Sequence, residues 1–418
     1  MPTPQNASST PKCRFCAASL THTFVDLGMS PLCQRHVTPE ELNHMEPFYP
    51  LHVRTCDQCF LVQLDEYVSP AEIFNDYAYF SSFSDTMLAH AKAYCAAMKD
   101  RFNLGPTSLA VELASNDGYL LQYFQKLGVP VLGVEPAANV AQAAIAKGVP
   151  TISEFFGVAL ANKLLKSHEQ ADLMVANNVL AHVPDINDFV GGVRVLLKPT
   201  GIVTMEFPHV MSLIDQNLFD TIYHEHFSYL GFLTVQKIFA AQGLTVFDVE
   251  DVDTHGGSLR IYARQQANSA VPVSQRVHDF AQRERARGFD TLAPYLAFAP
   301  KVHDTKRKLL SFLIDAKSRG KSVAGYGAPG KGNTLLNYCG IRTDFLDYTV
   351  DRNPKKKGNY LPGTRIPIRD PEVIRQTKPD YLLILPWNLK DEIIRQNHFI
   401  REWGGQFVVP IPEVMVIS

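Results

Sequence analysis

The sequence predicts an α/β protein made of a small metal-binding module followed by two doubly wound units. Three observations predict it. Two CxxC pairs, Cys13–Cys16 and Cys56–Cys59, stand near the start. From Leu109, aliphatic runs alternate with helical spacing, and the first run breaks into a polar turn. A second strand, turn and helix follow in "SVAGYGAPGKGNTLLNYCG", residues 322–340. Strands alternating with helices imply parallel sheets covered on both faces. The boundaries expected are 1–75 for the metal module, 76–265 for the central domain, 266–318 for linking helices and 319–418 for a C-terminal Rossmann-like domain.

At 418 residues the chain is long enough for two or three domains. A net charge of −2 gives no reason to expect nucleic acid or an anionic membrane as partner. No apolar run is long enough to span a bilayer. "MPTPQNASSTPKC" has neither the basic nor the apolar part of a secretory leader, so a cytoplasmic protein is expected. A monomer is expected.

Seven cysteines occur, at 13, 16, 33, 56, 59, 95 and 339. Each CxxC knuckle sets two thiolates on one side of a tight turn. Two knuckles form a tetrahedral S₄ site, which suits zinc. With four thiolates no position stays open for a substrate, so Cys13, Cys16, Cys56 and Cys59 predict a structural metal. Cys33, His36 and His44 lie in the stretch between the knuckles as spare donors.

"SDTMLAHAKAYCAAMKDRFNL" reads as a helix capped by Ser84 or Asp85, with Cys95 as a small core residue. Strand 109–113 then runs into Glu112-Leu-Ala-Ser-Asn-Asp-Gly118, a helix is expected over 118–127, and strand 130–134 ends at Glu135. In such a fold the ligand sits at the carboxyl ends of the strands. A dinucleotide needs several glycines there so that the backbone can touch pyrophosphate. This turn has one. It offers Glu112, Ser115, Asn116, Asp117 and Gly118, which suit a cationic, phosphate-free cofactor such as S-adenosylmethionine, with Glu135 on the ribose. "ADLMVANNVLAHVPD" brings Asn177 and His182 to the same edge, "GIVTMEFPHV" adds a strand, and "HGGSLRIYARQ" reads as a late strand closing the sheet.

Residues 266–318 have helical spacing and dense charge, as solvated linking helices do. Beyond them Gly325, Gly327 and Gly330 fit G-x-G-x-x-G, and Asp351 ends the next strand, close to a dinucleotide fingerprint. Yet Lys331 lies in the turn, and Lys355, Lys356 and Lys357 follow, residues that serve the diphosphate of a nucleotide-sugar equally well. "PDYLLILPWNL" is a further strand, ending at Trp387.

The stretch "TIYHEHFSYL", residues 221–230, concentrates chemistry. His224 and His226 would share a face only on an extended strand, where a metal is one reading of the pair, with no third ligand identified. A catalytic loop and a polar turn with half-buried rings are the other readings. In a catalytic loop one histidine moves a proton and its neighbours orient it, and Tyr223, His224, Glu225 and His226 supply the types.

The CxxC pairs, "SNDGYLL", "GVEP", "NNVLAHV", "EFPH", "FDTIYHEHFSYL", "THGGSLRIY" and "GYGAPGKGNTLLNY" stand in this order along nearly the whole chain. Together they resemble the sugar C-methyltransferases, which methylate C-3 of nucleotide-linked 4-keto deoxysugars and have C-5 methylating relatives. The turn after Glu112 departs from the glycine-richer one usual in methyltransferases. The resemblance implies a zinc-binding module, a central class I methyltransferase domain using S-adenosylmethionine and a C-terminal Rossmann-like domain that helps hold a nucleotide-linked keto sugar. It also implies that Tyr77, Tyr223, Glu225 and His226 line the sugar pocket, with His182 close by. On that basis His226 is the expected base, Tyr77 and Tyr223 its hydrogen-bonding partners and Glu225 an orienter. His224, Lys331, Asn333, Arg352, Asn353 and Trp387 are the expected further substrate contacts. The rival classes are an NAD(P)-dependent nucleotide-sugar oxidoreductase, built on the C-terminal glycines and Asp351, and a non-catalytic zinc adaptor.

Overall fold

The computed structural model describes residues 10–74, 80–254 and 256–418. They gather into two compact units, each assembled from three stretches. One contains Met1–Thr21, Cys56–Val210 and Phe227–Thr291; the other contains His22–Thr55, Met211–His226 and Leu292–Ser418. These units cut across the boundaries expected from the sequence, because the stretch between the CxxC pairs and the expected linking helices each pack into a core.

The first unit is organised by a seven-stranded sheet. Its strands are β1 (Ala110–Leu113), β2 (Val131–Val134), β3 (Thr151–Ile152), β4 (Ala171–Asn177), β5 (Leu197–Pro208), β6 (Leu244–Val252) and β7 (Ser258–Gln265). They lie in the order β3-β2-β1-β4-β5-β7-β6. The first five run parallel, and β7 is antiparallel to both β5 and β6. This is the class I methyltransferase arrangement that the resemblance implies. "HGGSLRIYARQ" does not close the sheet, as expected, but forms the interior strand β7; six of its eight positions are buried, as an interior strand requires, and β6 is the edge.

Side chains alternate across the sheet with the strand period. Val111, Leu113, Leu132, Met174 and Ala176 enter one core, while Ala110, Val131, Leu173 and Val175 enter the other. Helix α1 (Asp85–Phe102) packs into the second of these cores through Ala91, Tyr94, Cys95 and Met98. Ser84 is its cap, accepting from the Met87 N–H at 3.3 Å, and Asn103 ends it in the left-handed region. Helices α2 (Phe232–Ala241) and α3 (Gln275–Ala286) also belong to this unit. The α3 segment was expected to be a solvated linker. Instead its buried Glu284 accepts from the first N–H groups of α2, Phe232 at 2.6 Å and Leu233 at 2.8 Å, and from His209 Nε2 at 2.5 Å. A remote carboxylate thereby caps α2, whose own N-cap residue is glycine.

The second unit has a six-stranded sheet of β8 (Val323–Tyr326), β9 (Thr349–Val350), β10 (Ile368–Arg369), β11 (Tyr381–Ile384), β12 (Gln406–Val409) and β13 (Met415–Ile417). Their order is β10-β9-β8-β11-β12-β13, parallel except for β13. This is the Rossmann-like unit expected at the C-terminus. An antiparallel hairpin, His22–Ser30 with Tyr49–Thr55, belongs to it. Phe24 of that hairpin stacks on Phe298 with ring centroids 4.6 Å apart. Phe298 begins helix α4 (Phe298–Ser318), which is no free linker either: Val302, Leu309, Leu313 and Ala316 make it one buried face. Helix α5 (Gly330–Cys339) follows β8 through the glycine-rich turn.

Candidate active site

The four CxxC sulfurs lie within 4.8 Å of one another. Cys13–Cys59 and Cys16–Cys56 are each 3.5 Å apart, near the ~3.8 Å separation of sulfurs in a tetrahedral zinc site with bonds of about 2.3 Å. Both knuckles fold alike. Ala17 and Phe60, each following its second cysteine, have φ of 60° and 65° and donate N–H back to Cys13 and Cys56. N–H groups also point at sulfur, from Gln63 Nε2 to Cys13 at 3.2 Å and from Gln58 N to Cys56 at 3.4 Å, the outer hydrogen bonds a thiolate–metal site uses. The residues fit zinc. Cys33 and His36 belong to the other unit and are not among the donors.

The cofactor turn stands where β1 ends. Ala114, Asn116 and Gly118 all have positive φ, at 51°, 49° and 76°, so the chain reverses tightly and the helix starts only at Leu121. Glu135, at the end of β2, accepts from Asn116 N and Ala137 N, both at 2.9 Å. Glu112 is 1 % exposed, and its Oε2 has no partner in the protein. Burial pushes its carboxyl well up, and the charges of Glu135 and Asp117 add to the effect. Burial also raises Glu135, though its two N–H bonds oppose this. Asp117 is committed elsewhere. Its Oδ2 takes Lys147 Nζ at 2.7 Å and the Ser82 hydroxyl, while Oδ1 has no partner. Ser115 is fully buried against Gly133 of β2, where a Cβ would stand 2.4 Å from its hydroxyl; it supports the turn from beneath. At the end of β4, Asn177 and Asn178 each present a buried Oδ1 without a partner. Lys147, Ser82 and Asn178 were missed by the sequence reading. Only Asn178 carried a signal, as the second residue of "NN". The edge is rich in acceptors and suits a ligand bearing positive charge and hydroxyls.

His182 ends the short turn Leu180–His182 beyond β4, also in the first unit. The preceding Ala181 carbonyl accepts from Phe227 N at 2.8 Å, and the Phe227 carbonyl accepts from Leu64 N at 3.0 Å. Tyr77 lies outside the described residues.

Tyr223, His224, Glu225 and His226 belong to the second unit, and the loop divides their duties. His226 Nδ1 lies 2.7 Å from the Thr221 carbonyl. A carbonyl only accepts, so Nδ1 carries the hydrogen and Nε2 is the basic nitrogen. The Tyr223 ring lies over that imidazole, centroids 4.1 Å apart at 33°. Glu225 is buried and accepts from the Cys33 thiol at 3.7 Å. His224 turns elsewhere. It is buried, its Nε2 meets the Pro50 carbonyl at 3.2 Å, and its ring stands edge-on to Tyr49. Burial lowers its pKa. Its geometry anchors the loop on the hairpin, and its Nδ1 is buried without a partner in the protein. The two histidines serve different carbonyls, so the metal reading of this pair has no chelate.

Around the glycine-rich turn, Lys331 Nζ lies 4.9 Å over the Trp387 ring and 3.0 Å from Asn388 Oδ1. Arg352 is exposed on the loop after β9, where Asn353 accepts from Lys355 N at 3.0 Å. Asn333 is buried, with Nδ2 on the Cys33 carbonyl at 2.6 Å, which secures the hairpin, and with Oδ1 lacking a partner in the protein. The fingerprint glycines have internal uses. A Cβ on Gly327 would meet Pro386 at 2.5 Å, and one on Gly330 would meet Cys33 Sγ at 3.0 Å. Asp351, which a dinucleotide would need for its ribose, turns inward to Ala328 N and Asn353 N, both at 2.8 Å.

Among known proteins, the chain matches a zinc binding domain at residues 13–74, a methyltransferase domain at 87–249 and the C-methyltransferase C-terminal domain at 253–412. C-methyltransferase NovU of Streptomyces niveus is 35% identical over 407 residues, covering 97% of each chain. A ubiquinone biosynthesis O-methyltransferase of Rhodopseudomonas palustris is 26% identical over 114 residues, 25% of this chain and 44% of that one. The solved PH0226 protein of Pyrococcus horikoshii is 18% identical and aligns with 48% of this chain and 99% of its own at a TM-score of 0.37. A relative that matches over 97% of both chains, together with the three domain matches on this chain, settles the family: the chain is a member of the C-methyltransferases.

Proposed function

We propose that this C-methyltransferase methylates the carbon beside a ketone, C-3 of a nucleotide-linked 4-keto deoxysugar, through an enolate. The methyl donor is S-adenosylmethionine, which supplies an electrophilic methyl group when bound. Glu112 is assigned to its amine, Glu135 to its ribose, and Asn116, Gly118 and Asn177 to the walls of the same edge. Lys331 and Arg352 are assigned to the diphosphate of the substrate.

The observation that carries the reading is the hydrogen bond from His226 Nδ1 to the Thr221 carbonyl. A ketone α-proton is far less acidic than imidazolium, whose ordinary pKa is about 6.5. The base must therefore be held in its reactive tautomer while donors meet the oxygen that gains charge. His226 Nε2 takes the α-proton. The Tyr223 hydroxyl donates to the ketone oxygen, and Glu225 orients the sugar. The carbanion carbon then takes the methyl in line as the sulfur–methyl bond breaks and adenosylhomocysteine leaves, and the proton stays on His226. The reductase reading loses its footing where Asp351 and the glycines are consumed by internal contacts.

The test is mass spectrometry of products after incubation with S-adenosylmethionine and a panel of nucleotide-linked 4-keto sugars. In D₂O with adenosylhomocysteine bound, the wild type is expected to exchange the C-3 proton for deuterium. His226→Asn should lower exchange and kcat by about 10²- to 10⁴-fold, the usual cost of losing a general base. Full exchange and turnover in that variant would remove His226 from the mechanism.

A further inference from the structure

The turn that carries the Thr221 carbonyl is itself held by the C-terminal Rossmann-like sheet. Asp220 lies on the 3₁₀ turn Phe219–Thr221, three residues before Tyr223, and is fully buried. Its Oδ2 accepts from Trp387 Nε1 at 2.6 Å. Its Oδ1 is buried and has no partner in the protein. Trp387 stands just past the end of β11, with the Lys331 ammonium over its ring. On the other side of the same turn, the Thr334 hydroxyl of α5 donates to the Ile222 carbonyl at 2.9 Å. Burying a carboxylate is costly: burial pushes this carboxyl up to about 6, while Lys331, the Trp387 N–H and the backbone N–H groups of Asp220 and Thr221 oppose the rise. Such an arrangement persists where it holds something in place.

We propose that Asp220 and Trp387 form a brace that keeps the Thr221 carbonyl aimed at His226 Nδ1, and so sets the tautomer of the base. Both are positioning residues: Trp387, expected from the sequence to touch substrate, acts through Asp220, Thr221 and His226. The inference rests on His226 being the base for its effect on rate, but not for its effect on the imidazole. A neutral histidine puts its hydrogen on whichever nitrogen has the better acceptor. If the turn relaxes, the Thr221 carbonyl moves off line and the hydrogen redistributes to Nε2.

The experiment uses full-length protein with ¹⁵N-labelled histidine, and His226→Asn assigns the signal. Wild type should show Nδ1 protonated and Nε2 bare. Trp387→Phe keeps the ring and loses only the N–H. It should shift the tautomer population and lower kcat about tenfold, the worth of one ordinary hydrogen bond, with KM roughly unchanged. Asp220→Ala should do the same, the double variant no more than either, and Asp220→Asn, which retains an acceptor oxygen, less. An unchanged His226 tautomer in Trp387→Phe, additive losses, or a rise in KM alone would overturn the brace. Should His226→Asn retain turnover, the base assignment falls, while the tautomer signal still decides the brace.

Discussion

Glu112 carries a cost in the absence of ligand. Its carboxyl is buried beside two other acidic residues, which holds its pKa well above the ordinary 4.5. Between the ordinary value and the raised one, the folded protein binds more protons than the unfolded chain. By linkage this group's contribution to stability falls as pH rises through that window. A cationic ligand reverses the situation, because an ammonium beside Glu112 favours the carboxylate. Binding of adenosylhomocysteine should therefore release protons at pH values between the ordinary carboxylate pKa and the raised one, and weaken as pH falls. Calorimetry in buffers of different ionisation heat measures this directly. A binding heat independent of buffer would place the amine elsewhere, and Glu112→Gln should abolish the buffer dependence.

At the scale of elements, the glycine-rich turn before α5 looks like a cofactor loop and is built like a joint. Gly327 has φ 90° and stands against Pro386, and Gly330 seats the Cys33 side chain. Gly327→Ala should destabilise by about 1–3 kcal/mol through overpacking and backbone strain, lowering the melting temperature with adenosylhomocysteine affinity unchanged. Unaltered melting would mean that the contact with Pro386 relaxes freely. The glycine pattern was legible in the sequence but its use was not, since a glycine records only that a Cβ is excluded, not what excludes it. The parallel strands of both sheets, a helix cap at Ser84 or Asp85 and the four-thiol cluster were legible because each rests on local periodicity or spacing. The place of β7 was not, because strand order is set by pairing between distant segments. Nor was the division of labour between His224 and His226, since no periodicity governs the faces of a loop. The Asp220–Trp387 contact joins residues far apart in sequence and left no mark in either segment.

For the whole molecule, the metal is a structural matter. Purified protein should hold close to one zinc per chain, and Cys13→Ser or Cys56→Ser should lose it together with a cooperative melt, as structural zinc sites supply folding energy outright. Gln63 connects that site to its surroundings. It donates to Cys13 Sγ, accepts from Arg14 N at 2.9 Å, and pairs through its strand with Ser228. Retention of full melting temperature and zinc after either substitution would move the metal to other donors. Among the described residues no helix is long and apolar enough to cross a membrane.

The two CxxC pairs bracket a stretch that does not stay with them. Residues 22–55 leave the first unit and complete the second, whose remaining parts come from Met211–His226 and Leu292–Ser418. During synthesis the chain emerges from its N-terminus, so the hairpin bearing Phe24, Val25, Leu51 and Val53 is made early, meets the loop of His224 midway, and finds Phe298 and helix α4 only when the C-terminal part of the protein has left the ribosome. Until then the face that takes Phe298 is uncovered, on a segment tethered at both ends by cysteines that can already close on zinc. Assembly of this enzyme has a built-in waiting period, and a ribosome that stops early releases a chain with its metal clasp shut and an unpaired hydrophobic flap for chaperones to find.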